Sequence, residues 1–151
     1  QAALDASGIE PNELEIEITE SVLMAETETS QRIIERLRQL GVGIAIDDFG
    51  TGYSSLAYLK RLRPNQLKID RSFVNDADVD SDSRAIVRGV VGLAEALGLN
   101  VVAEGVETVE QQAFLRESGC HTLQGYYIAR PLAVDALEAW MANRHNNESE
   151  S

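Results

Sequence analysis

Short apolar runs alternate with stretches of helical periodicity along this 151-residue chain. The runs are rich in Ile, Val or Tyr, which favours β-strands, whereas the stretches between them have the apolar spacing of amphipathic helices. Strands that alternate with helices predict a parallel α/β fold, because each return to the sheet uses a right-handed crossover. The predicted strands lie within residues 13–19, 43–49, 66–70, 100–106 and 122–128.

The two faces of the predicted strands distinguish an open doubly wound sheet from a barrel. In the first strand, Leu14, Ile16 and Ile18 share one face, and glutamates occupy the other. A doubly wound sheet is covered by helices on both faces, whereas the lumen face of a barrel can be polar near its mouth. We therefore predict a (β/α)8 TIM-type barrel. Since a complete barrel needs about 250 residues, we expect a partial barrel of about five to six strands.

Glycines stand between helical stretches and the strands that follow them, at Gly41, Gly98 and Gly119. These positions are typical of helix C-terminal caps. Gly8 has the same position, so the segment before it is interpreted as the last turns of a helix that begins upstream of the chain. We predict one domain over residues 1–142. Residues 143–151 are polar and lack periodicity, which predicts a disordered tail.

Each predicted strand carries a polar or ionisable residue at or near its C-terminal end. Taken singly, each has a local explanation, such as a solvated edge residue, a turn acid or a surface base. In parallel β/α folds, however, these strand ends share one rim, where ligands bind. We therefore expect one shared site, built from Glu17, Asp47, Asp48, Lys68, Asp70, Glu104 and Gln124.

The residue types at this rim indicate the chemistry. Several carboxylates cannot stay ionised together in a dry cleft without cations, and carboxylate oxygens suit Mg²⁺ or Mn²⁺. With two histidines and one cysteine, the chain has no Cys/His zinc pattern. Two hard metal ions held by carboxylates are a known arrangement for phosphoester cleavage. A two-carboxylate glycosidase remains a formal alternative, although it would not need Lys68 and Gln124.

The composition of the chain limits the binding partners and the cellular compartment that we expect for it. The chain has 25 acidic and 13 basic residues, for a net charge of −12. Such a surface repels nucleic acid polymers and anionic membranes, so neither is an expected partner. No apolar run reaches the length of about 18 residues needed to span a bilayer. A single cysteine suits a reducing compartment, and a cytoplasmic location is predicted.

Five motifs closely resemble those of the EAL-domain cyclic di-GMP phosphodiesterases. They are ELEIEITES, IAIDDFGTGYSSL, LKIDRSFV, VVAEGVET and LQGYYIARPL, in this order along the chain. The resemblance implies a (β/α)8-like barrel that hydrolyses cyclic di-GMP to linear pGpG with Mg²⁺ or Mn²⁺. It also implies a homodimer formed through the loop and helix at residues 48–62, and an upstream sensory or GGDEF-type domain can accompany such a domain.

The resemblance also implies a role for each site residue. Lys68 resembles the group that orients the attacking water or helps to deprotonate it, and Asp70 supports that region. Gln124 resembles a positioning amide. Glu107 resembles a residue near the metal and the substrate, and Glu20 one that braces the Asp-rich loop. The metal-site carboxylates, among which Asp47 serves both ions, are Glu17, Asp47, Asp48 and Glu104.

One feature of the family pattern lies outside this chain. The name-giving Glu-Ala-Leu and a strand-end Asn are expected on strands that precede Gln1. Glu95, Ala96 and Leu97 also spell this motif, but they fall on an amphipathic helix, with Leu97 on its core face, and are not expected to bind metal. We therefore expect a C-terminal part of an EAL domain that binds metal weakly and turns over poorly. Two alternatives remain open, a catalytically inactive cyclic di-GMP receptor and a dimerisation module.

Overall fold

A computed structural model describes residues 2–24, 28–52 and 56–148. The strands are β1 (Glu15–Thr19), β2 (Gly43–Phe49), β3 (Gln66–Ile69), β4 (Asn100–Ala103) and β5 (Thr122–Leu123). A short 3-10 helix, Pro11–Glu13, precedes β1. The α-helices are α1 (Ala2–Ser7), α2 (Glu20–Met24), α3 (Glu28–Gln39), α4 (Leu56–Leu62), α5 (Arg71–Asp76), α6 (Ser81–Leu97), α7 (Val109–Glu117) and α8 (Val134–Glu148).

The described strands form one parallel sheet in the order β1-β2-β3-β4-β5. Neighbours along the chain are therefore neighbours in the sheet. Right-handed crossovers that always step in the same direction place the connecting helices on one face. A doubly wound sheet would instead reverse its order at a switch point. The α/β, barrel-type prediction is confirmed, with five strands in a sheet that is not closed within the described residues.

The core lies on the helix-covered face of the sheet. Ile44, Ile46, Leu67 and Ile69 are 0–1% exposed and pack with α6 side chains such as Val87. These strand residues alternate with the side chains that face the lumen, as the period of two requires. One face of the sheet is therefore apolar, and the other is free to carry the polar site.

The buried face of α6 agrees with the helical period only in part. Val90 and Ala94, which lie on the apolar face of the helical period, are buried. Ile86 and Leu97, at the two ends of that face, are 36% and 43% exposed, and Val87 beside it is buried. The periodicity therefore identified the helix and the centre of its buried face, whereas the sheet it packs against decided the edges of that face. Leu97 ends α6, so the Glu-Ala-Leu triplet lies on a helix, as predicted.

The predicted glycine caps are present. Gly98 ends α6 with a φ of 67°, and its N–H reaches the carbonyls of Ala94 and Glu95. Gly8, Gly41 and Gly119 also have positive φ values, of 71°, 87° and 90°. Left-handed backbone at these positions favours glycine because no Cβ is present to clash. The sequence signal for the ends of the helices was therefore reliable.

The C-terminal segment differs from the predicted disordered tail. Helix α8 continues to Glu148, so residues 143–148 are helical, and residues 149–151 lie outside the described part. No glycine or proline interrupts α8, and a helix extends readily once it is nucleated. Leu137 and Met141 on this helix are 42% and 57% exposed. Among the helices the structure describes, none is long and apolar enough to cross a membrane.

A capping box begins α7 next to the predicted site residue Glu107. The Thr108 hydroxyl accepts a hydrogen bond from the backbone N–H of Gln111 at 3.1 Å. The buried Gln111 side-chain oxygen accepts from the N–H groups of Glu107 at 2.7 Å and of Thr108 at 3.1 Å. These bonds fix the turn that carries Glu107, because they satisfy donors that the first turn of a helix leaves unpaired.

Replacing Thr108 by Ala is expected to lower the free energy of unfolding by about 1 kcal/mol, because a cap is lost. Urea unfolding followed by circular dichroism measures the change. Thr108→Ser keeps the hydroxyl and is the matched control, with a loss well below that of the alanine variant. Equal stability of the alanine variant and the unmodified chain would show that the cap contributes nothing.

Candidate active site

The polar strand ends meet on the lumen side of the sheet. Glu17 lies in β1, Asp47 in β2 and Lys68 in β3, while Glu104 directly follows β4. The parallel register pairs Thr19 with Asp47 and Lys68 with Val102, which brings these strand ends to the same level. The convergence that the sequence predicts is therefore present for the residues on the first four strands.

Lys68 is the centre of this cluster. Its Nζ atom lies 2.7 Å from Glu17 Oε1, 3.1 Å from Asp47 Oδ1 and 2.7 Å from Glu104 Oε1. The residue is only 5% exposed, so the contacts are sheltered from water. One ammonium group thus joins carboxylates that are up to 87 positions apart in the sequence (Glu17 to Glu104). We refer to Lys68, Glu17, Asp47 and Glu104 as the Lys68 cluster.

The surroundings of Lys68 keep it positively charged. Burial by itself lowers the pKa of the amine, but its contacts with the carboxylates of Glu104, Glu17 and Asp47 outweigh burial and raise the pKa above its usual range. A charged ammonium donates hydrogen bonds and cannot accept a proton. Of the two roles predicted for Lys68, this arrangement therefore favours orientation of a water or substrate over its deprotonation.

An irregularity in β2 explains how two adjacent aspartates can serve one site. From Ile46 to Phe49, β2 advances three residues while β3 advances two, from Leu67 to Ile69. The extra residue makes a β-bulge, which redirects side chains. Asp48 has a φ of 55°, in the left-handed region. In a regular strand, its side chain would instead point to the face opposite that of its neighbour.

Asp48 lies among other acids. Burial and the nearby charges of Asp47, Asp70 and Glu104 raise the pKa of its carboxyl, and a hydrogen bond with Asp70 adds to the effect. A strained backbone that brings acids together occurs chiefly at functional sites. The same crowding becomes favourable when a cation lies between the carboxylates.

Asp70 is fixed by the beginning of α5. Its carboxylate accepts hydrogen bonds from the Ser72 backbone N–H at 3.0 Å and from the Ser72 hydroxyl. Burial alone raises the pKa of Asp70, but these bonds lower it overall, so the group stays ionised. Sequence analysis did not single out Ser72. An Asp followed two residues later by Ser at a strand-to-helix junction is the capping signal that identifies it.

Glu20 contacts the loop that follows the two aspartates. The residue is 4% exposed, and its Oε2 atom accepts hydrogen bonds from the N–H groups of Gly50 at 3.1 Å and Gly52 at 3.3 Å. A Cβ on Gly52 would lie 3.1 Å from Glu20 Oε1, so a larger residue would crowd this contact. Residues 53–55, which belong to the predicted dimer-forming segment, lie outside the described part.

Gln124 and Glu107 are close to the rim but are not members of the Lys68 cluster. In the described residues, no hydrogen bond or ion pair joins either side chain to the cluster. The Gln124 backbone links the two strand ends, since its N–H donates to Ala103 O at 2.8 Å and its carbonyl accepts from Val106 N–H at 3.0 Å. The side chains of both residues are exposed.

A cavity of about 420 Å³ opens on the lumen side of the sheet. Its lining includes Glu17, Lys68 and Gln124, so Gln124 shares a cavity with part of the cluster. A larger cavity of about 740 Å³ lies between α3 and the end of α4 and contains none of the predicted site residues. The lumen cavity is the better candidate, because the buried Lys68 and its partner Glu17 line it.

The donor set fits a hard divalent cation. Glu17, Asp47, Asp48 and Glu104 offer carboxylate oxygens, which such ions prefer. Asp47 Oδ1 is buried and accepts no hydrogen bond within the described part, although Lys68 Nζ is 3.1 Å away. No three described acid, histidine or cysteine side chains already converge as a metal cage. The ammonium of Lys68 lies among the carboxylates instead.

A family model for the EAL domain matches residues 1–131. Among curated proteins, MucR of Pseudomonas aeruginosa, a bifunctional diguanylate cyclase/cyclic di-GMP phosphodiesterase, is 51% identical over 140 residues. That match covers 93% of this chain and 20% of MucR. The cyclic di-GMP phosphodiesterase NbdA of the same organism is 49% identical over 139 residues, which are 92% of this chain and 18% of NbdA. The chain thus spans about a fifth of the length of these curated relatives.

Solved structures of cyclic di-GMP complexes are also similar to this chain. The phosphodiesterase of MucR in complex with c-di-GMP has a TM-score of 0.86 and 51% identity, and the match covers 90% of this chain and 55% of that chain. Klebsiella pneumoniae BlrP1, in complexes with c-di-GMP and manganese or calcium, has a TM-score of 0.81 and 39% identity. Those matches cover 86% of this chain and 33% of BlrP1.

Proposed function

Because the chain belongs to the EAL domain family, we propose that it hydrolyses cyclic di-GMP to linear pGpG in a reaction that depends on a divalent cation. The observation that carries this proposal is the Lys68 cluster, in which ionisable side chains from four strand ends meet at one rim. MucR and BlrP1, whose structures contain c-di-GMP, support the choice of substrate.

In this proposal, two divalent cations are held by Glu17, Asp47, Asp48 and Glu104, and Asp47 is a ligand of both. The manganese and calcium complexes of BlrP1 support a divalent cation, and we propose Mg²⁺ or Mn²⁺. When bound, such ions lower the pKa of a water and neutralise charge on the phosphodiester. They also offset the net charge of −12, which would otherwise repel an anionic substrate.

The residues of the chain have distinct parts in this reaction. Lys68 carries a fixed positive charge that orients the attacking water and the phosphodiester. Asp70, held by Ser72, supports Asp48. Glu20 braces the loop at Gly50 and Gly52. Two further residues complete the proposed set: Gln124, which lines the lumen cavity, and Glu107, which the α7 cap holds near the rim.

Removal of the cation tests the proposal directly. We expect pGpG to form from cyclic di-GMP with Mg²⁺ or Mn²⁺ and to stop in EDTA, as followed by ion-pair chromatography. Restoring the cation should restore the product, which separates metal loss from denaturation. If the chain bound cyclic di-GMP with Mn²⁺ in calorimetry but released no pGpG, the receptor alternative would replace the enzyme.

Three further parts of the proposal concern the setting of the domain. We propose a homodimer through the loop and helix at residues 48–62. A monomer in multi-angle light scattering would exclude this dimer.

The bifunctional name of MucR supports an upstream sensory or GGDEF-type partner domain. A single cysteine supports a reducing, cytoplasmic location.

A further inference from the structure

Three carboxylates share one counter-charge in the Lys68 cluster. Glu17, Asp47 and Glu104 have side chains that are 51%, 22% and 21% exposed, whereas that of Lys68 is 6% exposed. Acids this close repel one another unless a cation lies between them. An ammonium group has three N–H donors, and Lys68 has three carboxylate neighbours within 3.1 Å. Every carboxylate that contacts the ammonium group thus belongs to the cluster.

We propose that Lys68 is a built-in counter-cation that holds these carboxylates together without metal and competes with the divalent cation for them. This inference rests on the proposed function, because it takes Glu17, Asp47 and Glu104 to be metal ligands. The ammonium occupies the space among the contacted oxygens, and it repels a second cation placed there. A divalent cation therefore binds only when at least one contact of Lys68 is given up.

The contact between Lys68 and Asp47 is the one that we expect a divalent cation to displace most readily. Its Oδ1 atom is 3.1 Å from Nζ, whereas the Glu17 and Glu104 oxygens are both 2.7 Å away. The same Oδ1 atom is buried and accepts no hydrogen bond within the described residues. A buried carboxylate oxygen left in this state gains most from a new cationic partner. We infer that the metal enters at Asp47 and that Lys68 then keeps Glu17 and Glu104.

An alternative is that Lys68 is only a scaffold, without which the carboxylates no longer meet. The two ideas give opposite results for metal affinity. Competition predicts that loss of the ammonium tightens metal binding, because no displacement is needed. A scaffold role predicts that metal binding weakens, because the ligands separate.

The Lys68→Met variant distinguishes competition from a scaffold role, because Met has a side chain of similar length and no charge. We expect the Kd for Mn²⁺, measured by calorimetry without substrate, to fall by about tenfold, which corresponds to about 1.4 kcal/mol. In EDTA the variant should unfold about 5 °C below the unmodified chain, since the carboxylates then repel one another, and saturating Mn²⁺ should remove most of this difference. A weaker Kd for Mn²⁺ in Lys68→Met would overturn the proposal.

Arg116→Met is the matched control. Arg116 lies on α7 and is exposed, so its loss changes the net charge equally without touching the cluster or the proposed dimer segment. We expect its Kd for Mn²⁺ and its melting temperature to stay close to those of the unmodified chain. A tenfold change in Arg116→Met as well would show that the effect comes from overall charge and would refute competition at the site.

A measurement on the unmodified chain covers the case in which Lys68→Met does not fold. The side-chain NH₃⁺ resonance of Lys68 is followed by ¹H–¹⁵N NMR during titration with Mg²⁺. Competition predicts that the Lys68 resonance shifts as Mg²⁺ binds, while the resonance of the exposed Lys60 on α4 does not. An unchanged Lys68 resonance at saturating Mg²⁺ contradicts the competition proposal. These readouts need no turnover, so absence of pGpG formation would refute the proposed function without deciding this one.

Discussion

Asp47→Asn is expected to lower the rate of the proposed metal-dependent hydrolysis of cyclic di-GMP by at least about 100-fold. Loss of a group that only supports a metal ligand costs about 10- to 100-fold in affinity or activity, and a shared ligand should cost more. Asn keeps the shape of the side chain but removes the charge that the cation needs. Initial rates of pGpG formation at saturating Mn²⁺ measure the effect.

The Kd for Mn²⁺ should rise in the same variant, opposite to the fall expected for Lys68→Met. Asp78→Asn is the matched control, because Asp78 is exposed in the connection between α5 and α6 and has no part in the site. It should hydrolyse cyclic di-GMP as the unmodified chain does. If Asp47→Asn kept more than about one tenth of the activity, its assignment as a shared metal ligand would be wrong.

Gly125→Ala is expected to lower the free energy of unfolding by about 3 kcal/mol, at the upper end of overpacking effects. A Cβ at this position would lie 2.1 Å from the Val106 carbonyl oxygen, 2.2 Å from its nitrogen and 2.7 Å from its carbonyl carbon. These atoms belong to the backbone, which cannot rotate away as a side chain can. Val106 lies between Glu104 and Glu107, so the displacement reaches the rim of the site. Urea unfolding measures the loss.

Gly89→Ala and Gly92→Ala are controls of opposite sign. Both glycines lie inside α6, and a Cβ added at either meets nothing within 4 Å. Alanine in a helix interior is more favourable than glycine by about 0.5–1 kcal/mol, so both variants should be slightly more stable. If Gly125→Ala unfolded at the same urea concentration as the unmodified chain, the close approach of the segment after β5 to the segment after β4 would be wrong.

Local features of this chain were predictable from the sequence. The glycine caps at Gly8, Gly41, Gly98 and Gly119 depend on the backbone preference of a single residue. The strands were recognised by apolar alternation, and their parallel arrangement followed from the helices between them. Polar residues at the strand ends followed from the same alternation. The resemblance of five motifs to the EAL family identified the family that the comparisons then found.

Tertiary structure decided what depends on residues far apart in the chain. The sequence marked Lys68 and the carboxylates as neighbours on a rim but did not indicate that Lys68 lies at their centre, because that depends on register across four strands. The bulge that turns Asp48 arises from pairing between β2 and β3, which has no local signature here. The edges of the buried face of α6 were likewise set by the sheet beneath it.

There is a physical reason why some features were predictable from the sequence and others required the tertiary structure. Backbone conformation and periodicity come from neighbouring residues, so the sequence by itself determined the elements, their ends and the polar character of the rim. Distances between side chains on different strands come from register and packing, which the whole fold sets cooperatively. The sequence therefore determined that carboxylates and one lysine lie at the same rim, and only the tertiary structure decided that the lysine stands among the carboxylates, where a cation is needed.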